Sequence, residues 1–327
     1  MSQSQRIAVL GAGAVACHHA AAALALGHKV VAGSTRSPDS PRWGRFQEVA
    51  PEARYVAEGA DLLDDPEIDA VIACLPWNVM PDWLEALLRC ERPVLLEKPI
   101  ALDSASLDRR LAAVGRPPAR KQVGFNRRYY APVRRLAARL AEGGLRAAQV
   151  TISEDIGAHS RKHGPALIPH LLAFASCHLL DLCLHLLGPL RVVRLQAHRE
   201  RGLSEPFTSY NGLLETAEGL PVSMALNASD PAPIGIRCLF DDHSSWLLSP
   251  IELLTIFDRY EVVPESQDRA VRSYRPHQLE QVQAEARLKP GFVEQMRAFL
   301  SGTPGPGASL DDAATLMHFI DAIEGRA

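Results

Sequence analysis

The sequence predicts an α/β protein in two parts: an N-terminal doubly wound parallel sheet, then an α/β domain with a large open, mainly antiparallel sheet. Three observations predict it. Short apolar runs alternate with helical stretches through the first 125 residues, as βαβ units require. From residue 146 onward, strand-like stretches follow one another across turn residues with few helices between them. A length of 327 residues suits two domains of ordinary size, each able to bury its own core. The expected division is 1–125 and 126–327, with a final helix over 309–325 packing back on the first domain.

In order, Arg6–Leu10 reads as a buried strand and stops at Gly11. An Ala-rich helix follows to about Leu26 and ends at Gly27. Lys29–Ala32 is a second strand, Asp61–Pro66 a short helix and turn, and Ile68–Cys74 a buried strand. A helix is predicted over Asp82–Cys90, a strand over Pro93–Leu96, a helix over Ser104–Val114 and a strand over Gln122–Phe125. Residues 146–154, 191–200, 208–226 and 234–248 carry the later strands. One long apolar helix, His170 to Leu187, interrupts them and stops at Gly188-Pro189. Phe292–Leu300 is helical, and Ser309 with Asp312 opens the last helix as a capping box.

Composition narrows the function classes. The chain is 47% hydrophobic and 22% charged, with net charge −3, so no positive field points to nucleic acid or an anionic membrane. Its start has no signal-peptide pattern, and no run is long and apolar enough to span a bilayer. Six cysteines lie scattered in apolar runs without a C-x-x-C pair, which predicts reduced thiols in a cytoplasmic protein and no zinc site. Of 35 basic residues only five are lysine (29, 98, 121, 162 and 289). Lysine can be tuned to exchange a proton near neutral pH and arginine cannot, which singles out these few.

Gly11-x-Gly13-x-x-Ala16 stands at the first strand–helix junction. Gly11 permits the tight turn, Gly13 lets backbone approach a diphosphate, and Ala14 and Val15 open the helix whose N–H groups and dipole attract phosphate. This is the dinucleotide fingerprint of a Rossmann domain. The second strand ends in Gly33-Ser34-Thr35-Arg36, without the acid that holds the adenosine ribose in NAD-preferring sites. Two hydroxyls and a guanidinium suit a 2′-phosphate, which favours NADP over NAD. The alternative is that Arg36 stacks on adenine and either cofactor binds.

Glu97-Lys98-Pro99 follows the strand Pro93–Leu96, at the strand ends where open parallel sheets bind ligands. A lysine there can polarise or protonate a reacting oxygen. Together with Leu75-Pro76, the run Arg92–Pro99 and Gly124-Phe-Asn126-Arg127-Arg128-Tyr129, the chain resembles the glucose-fructose oxidoreductase / inositol dehydrogenase family over its first 130 residues or so. His19 and Asp65–Val71 fit the same pattern. The resemblance implies hydride transfer between a nicotinamide cofactor and a sugar, polyol or nucleotide-sugar, with Lys98 beside nicotinamide and substrate. It implies cofactor contacts from Leu75, Pro76, Trp77, Glu97 and Asn126, and substrate contacts from Arg127 and Tyr129.

The family's D-x-G-x-H-x-x-D pattern falls on the helix around His178. This sequence matches His178 and Asp181 but carries Phe174 and Ser176 at the first acid and the glycine. His178 is therefore expected to share proton transfer with Lys98, and Phe174 to line the substrate pocket. His170, Phe174, His178, Asp181 and His185 would share one helix face. No metal is expected there, because the family uses none. Met80 replaces a histidine common in the family, and Trp77 either packs on nicotinamide or belongs to the core. Arg127, Arg128 and Arg161-Lys162-His163 point to an anionic substrate or to a solvated basic face. Two alternatives stay open: a catalytically inactive dinucleotide-binding regulator, and cofactor-assisted elimination or glycoside cleavage. The open sheet predicts a homo-oligomer.

Overall fold

The computed structural model describes residues 4–201, 206–266, 270–285 and 287–326. The chain forms two compact units: Met1–Tyr129 with Leu172–Cys177 and Glu285–Ala327, and Tyr130–Leu171 with His178–Ala284. Besides the final helix expected to return, the segments Leu172–Cys177 and 285–308 also belong to the first unit.

The first unit begins with β1 (Arg6–Leu10), α1 (Ala14–Ala25), β2 (Lys29–Ser34), α2 (Pro41–Val49), β3 (Arg54–Tyr55) and α3 (Asp61–Asp64). It continues with β4 (Ala70–Ala73), α4 (Met80–Arg89), β5 (Val94–Leu96), α5 (Ser104–Val114) and β6 (Lys121–Val123). The six strands are all parallel, in the order β3-β2-β1-β4-β5-β6. β4 and β5 are buried along their whole length, since helices cover both faces; this is why they read as unbroken apolar runs. α2 was not anticipated, although Ser40 accepts from the Trp43 amide and Pro41 occupies the first turn, both start signals.

The second unit comprises α6 (Ala131–Ala141), β7 (Leu145–Glu154), α7 (Ile156–His163) and, from His178, α8 (Cys177–Leu187). Then come β8 (Leu190–Arg199), β9 (Thr208–Thr216), β10 (Pro221–Ala228), β11 (Gly235–Phe240), β12 (Ser245–Leu248), β13 (Leu253–Val263) and β14 (Ser273–Gln283). They form one open eight-stranded sheet, β14-β13-β12-β11-β7-β10-β9-β8, in which only β7 and β10 pair in parallel. The predicted 208–226 and 234–248 stretches each resolve into two strands. β13 and β14 went unread because β14 is exposed for most of its length and shows no apolar alternation.

The helix expected over His170–Leu187 is three windings. Pro165–His170 is 3-10, Leu172–Ser176 is a π-turn, and the α-helix starts at Cys177. A wider turn breaks the 3.6-residue period, so His170 and Phe174 do not share a continuous helix face with His178, Asp181 and His185.

α9 (Phe292–Ser301) and α10 (Leu310–Glu324) complete the first unit. Phe292, Met296, Phe299 and Leu300 of α9 enter the cluster formed by Ile7, Val9, Ala16, Ala20 and Ala23. The alanines of α1 keep that approach close. α10 starts with the capping box of Ser309 and Asp312. It packs beside α5, where Asp321 accepts from the Ser104 amide at 3.0 Å.

Candidate active site at the C-terminal edge of the parallel sheet

Strand register fixes the site. Leu10 pairs with Ser34 and with Ala73, Ala73 with Leu96, and Leu96 with Val123, so five neighbouring strands end level. Gly11, Thr35, Cys74, Glu97 and Gly124 therefore follow one another along one edge. The strand order reverses between β1 and β4, the crevice in which such sheets hold ligands.

At the first turn, Gly11 has φ +93°, and a Cβ there would stand 2.3 Å from the Cys74 carbonyl oxygen. Its amide donates to Ser34 O at 2.8 Å. Only glycine meets both demands. Gly13 caps α1 without a side-chain partner, and a Cβ on it would meet nothing within 4 Å. Ala14 is exposed and Val15 half-buried, and no acid lies in the first helical turn. Free amides, open space and the absence of negative charge fit a diphosphate.

The end of β2 divides its residues differently from the sequence reading. Ser34 is buried, with its hydroxyl oxygen 3.2 Å from where a Gly59 Cβ would lie, so it faces the interior. Thr35 is half-buried, and its carbonyl accepts from Tyr55 Oη at 2.8 Å. Arg36 is exposed and makes no ion pair among the described residues. Of the three, Arg36 is the charged group free to meet a ligand.

After β4, Leu75 and Trp77 are half-buried and Pro76 exposed. Met80 is fully buried at the start of α4, so it belongs to the core. Burial, then the neighbouring Glu97 and Cys17, pushes the Cys74 thiol well above its ordinary range, which keeps it in the neutral thiol form. His18, on α1, is held below the usual imidazole range by burial first and then by Lys289 and His19.

Lys98 is half-buried just beyond β5. Its ammonium donates to the Phe174 backbone carbonyl at 2.6 Å and lies 4.9 Å from the centroid of the Phe174 ring. Phe174 itself belongs to the π-turn of the same unit. Glu97 does not face the open edge: its carboxylate is turned inward, 2.7 Å from His19 Nε2.

Three further assignments change with burial. Asn126 is buried and its Nδ2 donates to Pro290 O at 3.0 Å, which spends one of its donors on the chain itself. Tyr129 is buried, with its hydroxyl accepting from Gln122 Nε2 at 3.2 Å. Arg128 is buried against Asp312 Oδ2 and Pro306 O, each at 3.4 Å, which removes it from the set of ligand-ready arginines. Arg127 stays half-buried. In the second unit, His178 is half-buried in the first turn of α8, Asp181 is buried and His185 half-buried. Arg161 and Lys162 are exposed at the end of α7.

Sequence reasoning singled out Lys289 only as one of five lysines and missed that the segment Lys289-Pro290-Gly291 reaches Asn126 and places Lys289 Nζ 5.2 Å from the Phe292 ring centroid. Over 160 residues separate it from Asn126, and no local pattern announces such a contact.

Residues 5–125 match the model of an oxidoreductase family with an NAD-binding Rossmann fold. The chain is similar to an inositol 2-dehydrogenase of Mycolicibacterium gilvum, 34% identical over 146 residues, which are 43% of this chain. The chain spans 40% of that relative's length. Among solved structures, a UDP-N-acetylglucosamine 3-dehydrogenase of Acidithiobacillus ferrooxidans superposes with TM-score 0.74 at 16% identity, covering 100% of this chain and 98% of that one. A 3-ketoreductase of Actinomadura kijaniata in complex with NADP superposes with TM-score 0.69 at 20% identity, covering 99% and 98%. At those identities the two structures establish the fold.

Proposed function

We propose that this chain, whose residues 5–125 match an oxidoreductase family with an NAD-binding Rossmann fold, is a member of the glucose-fructose oxidoreductase / inositol dehydrogenase family and an NADP-preferring oxidoreductase acting on a carbohydrate-like substrate. One observation carries the reading: the open, acid-free glycine turn of α1 and the ammonium of Lys98 lie along one edge of the parallel sheet, at its switch point.

The chemistry such a cofactor supplies is hydride exchange with a carbon bearing a hydroxyl or carbonyl group. The residues do the rest. The amides at Gly13, Ala14 and Val15 bind the diphosphate, and Gly13 leaves it room. Arg36 pairs with a 2′-phosphate, and no carboxylate at the end of β2 opposes it. Lys98 Nζ holds the substrate oxygen and gives or takes its proton, while His178 is the second proton-transfer group. Leu75, Pro76 and Trp77 line the cofactor loop. Arg127 is the arginine placed to meet an anionic group on the substrate.

The substrate class rests on the relatives, among them inositol 2-dehydrogenases and enzymes acting on nucleotide-linked sugars or ketones. Six free thiols accord with a cytoplasmic protein. No helix of the described residues is long and apolar enough to cross a membrane. The sheet of the second unit exposes Tyr260, Tyr274 and Leu279, which a second copy of the chain would cover.

The test is fluorescence titration with NADPH and NADH on the wild type, Arg36→Ala and Lys98→Ala. The expected result is tighter NADPH binding that Arg36→Ala weakens roughly tenfold or more, the worth of a charged hydrogen bond. NADH binding should be unchanged in Arg36→Ala, and cofactor binding retained in Lys98→Ala. Binding of neither cofactor would overturn the reading. Cofactor binding without turnover of any polyol, sugar or keto-sugar would favour the inactive regulator, which the phenyl ring beside Lys98 in place of a carboxylate already suits.

A further inference from the structure

A buried polar contact of the first unit joins His19 to Glu97, the residue before Lys98. His19 is 0% exposed, and its Nε2 stands 2.7 Å from Glu97 Oε1, on a side chain 10% exposed. The two groups come from different elements. His19 belongs to α1, the helix that opens at the Gly11–Gly13 turn, and Glu97 is the residue before Lys98. The Glu97 amide donates to Ala73 O at 2.9 Å, which pins the backbone at the same point.

The surroundings are shaped for this pair. A Cβ on Gly124 would stand 2.8 Å from Glu97 Oε1, so any larger residue there would displace the carboxylate. The Phe292 ring closes the other side of the imidazole, with centroids 4.6 Å apart. His19 Nδ1 is buried without a hydrogen-bond partner, so the imidazole has one polar tie and that tie is Glu97. Nothing in the proposed cofactor or substrate contacts uses either side chain.

A buried polar pair with one unpartnered nitrogen is a poor device for stability. Well-packed apolar residues of similar volume usually serve at least as well, and the orphaned nitrogen adds a desolvation cost. Its value must lie in direction. A hydrogen bond fixes Glu97 at one atom of α1, whereas an apolar contact would let the Glu97-Lys98-Pro99 segment slide.

We propose that His19 is a positioning residue: acting through Glu97, it ties the peptide that carries Lys98 to the helix that carries the glycine turn, and so sets where the Lys98 ammonium stands. The proposal rests on Lys98 being the proton-transfer group. Its structural content, that His19 sets the place of Lys98, can be tested without turnover.

The chain has only five lysines, so protein labelled with [13Cε]lysine gives few enough signals to follow each one. The Lys98 resonance is identified by its loss in Lys98→Arg. In His19→Leu the Lys98 signal should shift or broaden while those of Lys29 and Lys162 stay in place. His19→Gln, whose amide can still donate to Glu97, should return the signal toward the wild-type position. If His19→Leu unfolds, the double variant His19→Leu/Glu97→Leu, which leaves no buried carboxylate alone, serves in its place with the same expected shift. NADPH titration of the same samples should stay within about threefold of wild type, since no cofactor contact is removed. An unmoved Lys98 resonance in a folded Leu variant, or failure of His19→Gln to restore it, would overturn the proposal. Failure of the wild type to bind NADPH would overturn the cofactor reading instead and leave the resonance result standing.

Discussion

Lys98 and Phe174 meet twice: the ammonium donates to the Phe174 carbonyl oxygen at 2.6 Å and lies 4.9 Å from the centre of its ring. The two contacts are separable, because the first needs only backbone and the second needs the side chain. Phe174→Leu should therefore keep Lys98 in place and lose roughly 0.5–2 kcal/mol of stability with the cation–π contact. Phe174→Asp should convert that contact into an ion pair and supply the acid that the family pattern places here. With a second proton-transfer group beside Lys98, turnover of a polyol panel with NADP as oxidant should rise by about tenfold or more, within the range such groups contribute. NADPH affinity should stay within about threefold. Unchanged or lower turnover in a folded Phe174→Asp protein would show that Phe174 is suited to this site as it stands.

The two glycines of the first turn should fail in different ways. Gly11→Ala forces a Cβ to 2.3 Å from a backbone oxygen at a φ that side chains rarely adopt. The cost is expected at about 3 kcal/mol or more, read as a lowered melting temperature. Gly13→Ala meets nothing within 4 Å. It should keep stability within about 1 kcal/mol, the usual cost of alanine at an N-cap. Its methyl group stands where the diphosphate must approach, so NADPH binding should fall at least tenfold, about 1.4 kcal/mol. Unimpaired NADPH binding by Gly13→Ala would move the phosphate site away from this turn.

The N-terminal half of this architecture was legible because its signals are local. Continuous apolar runs mark β4 and β5, the glycine spacing marks the turn at α1, and Glu97-Lys98-Pro99 marks the end of β5. What stayed hidden is either solvated or long-range. β14 lacks an apolar face to advertise it, and the π-turn at Leu172–Ser176 has no composition that distinguishes it from α-helix. The inward turn of Glu97 and the capture of Arg128 by Asp312 depend on partners 78 and 184 residues away. A motif reports which residue types stand at a strand end; packing decides which of them face out.

Gln295 offers a stability test within the same unit. It is 0% exposed on α9, and neither its Nε2 nor its Oε1 has a hydrogen-bond partner. An unmatched buried amide costs about 1–3 kcal/mol, and leucine has a similar volume without that cost. Gln295→Leu should raise the unfolding free energy by about 1–2 kcal/mol in chemical denaturation. A loss of stability would mean that the amide holds internal water, in a core more polar than its side chains suggest.

Lys121 links the sheet to pH. It is buried at the start of β6, and its ammonium donates to the carbonyls of Cys90, Arg92 and Ala119 at 2.8, 3.0 and 3.2 Å. Burial pulls it from the ordinary lysine range down to about 8. Because the folded value lies below the unfolded one, the unfolded chain binds the extra proton between about pH 8 and the ordinary value near 10.5. In that window this group adds stability as pH rises; below it, the cost of burying the charge is carried in full. Lys121→Met leaves three carbonyls without their donor and should lose about 1–3 kcal/mol near neutral pH. The gap between wild type and variant should widen from pH 8 to 10, as the wild type sheds the buried charge and the variant has none to shed. Denaturant titrations of both proteins across that range would read it. A gap that does not change with pH would mean that the three carbonyls hold the ammonium charged throughout.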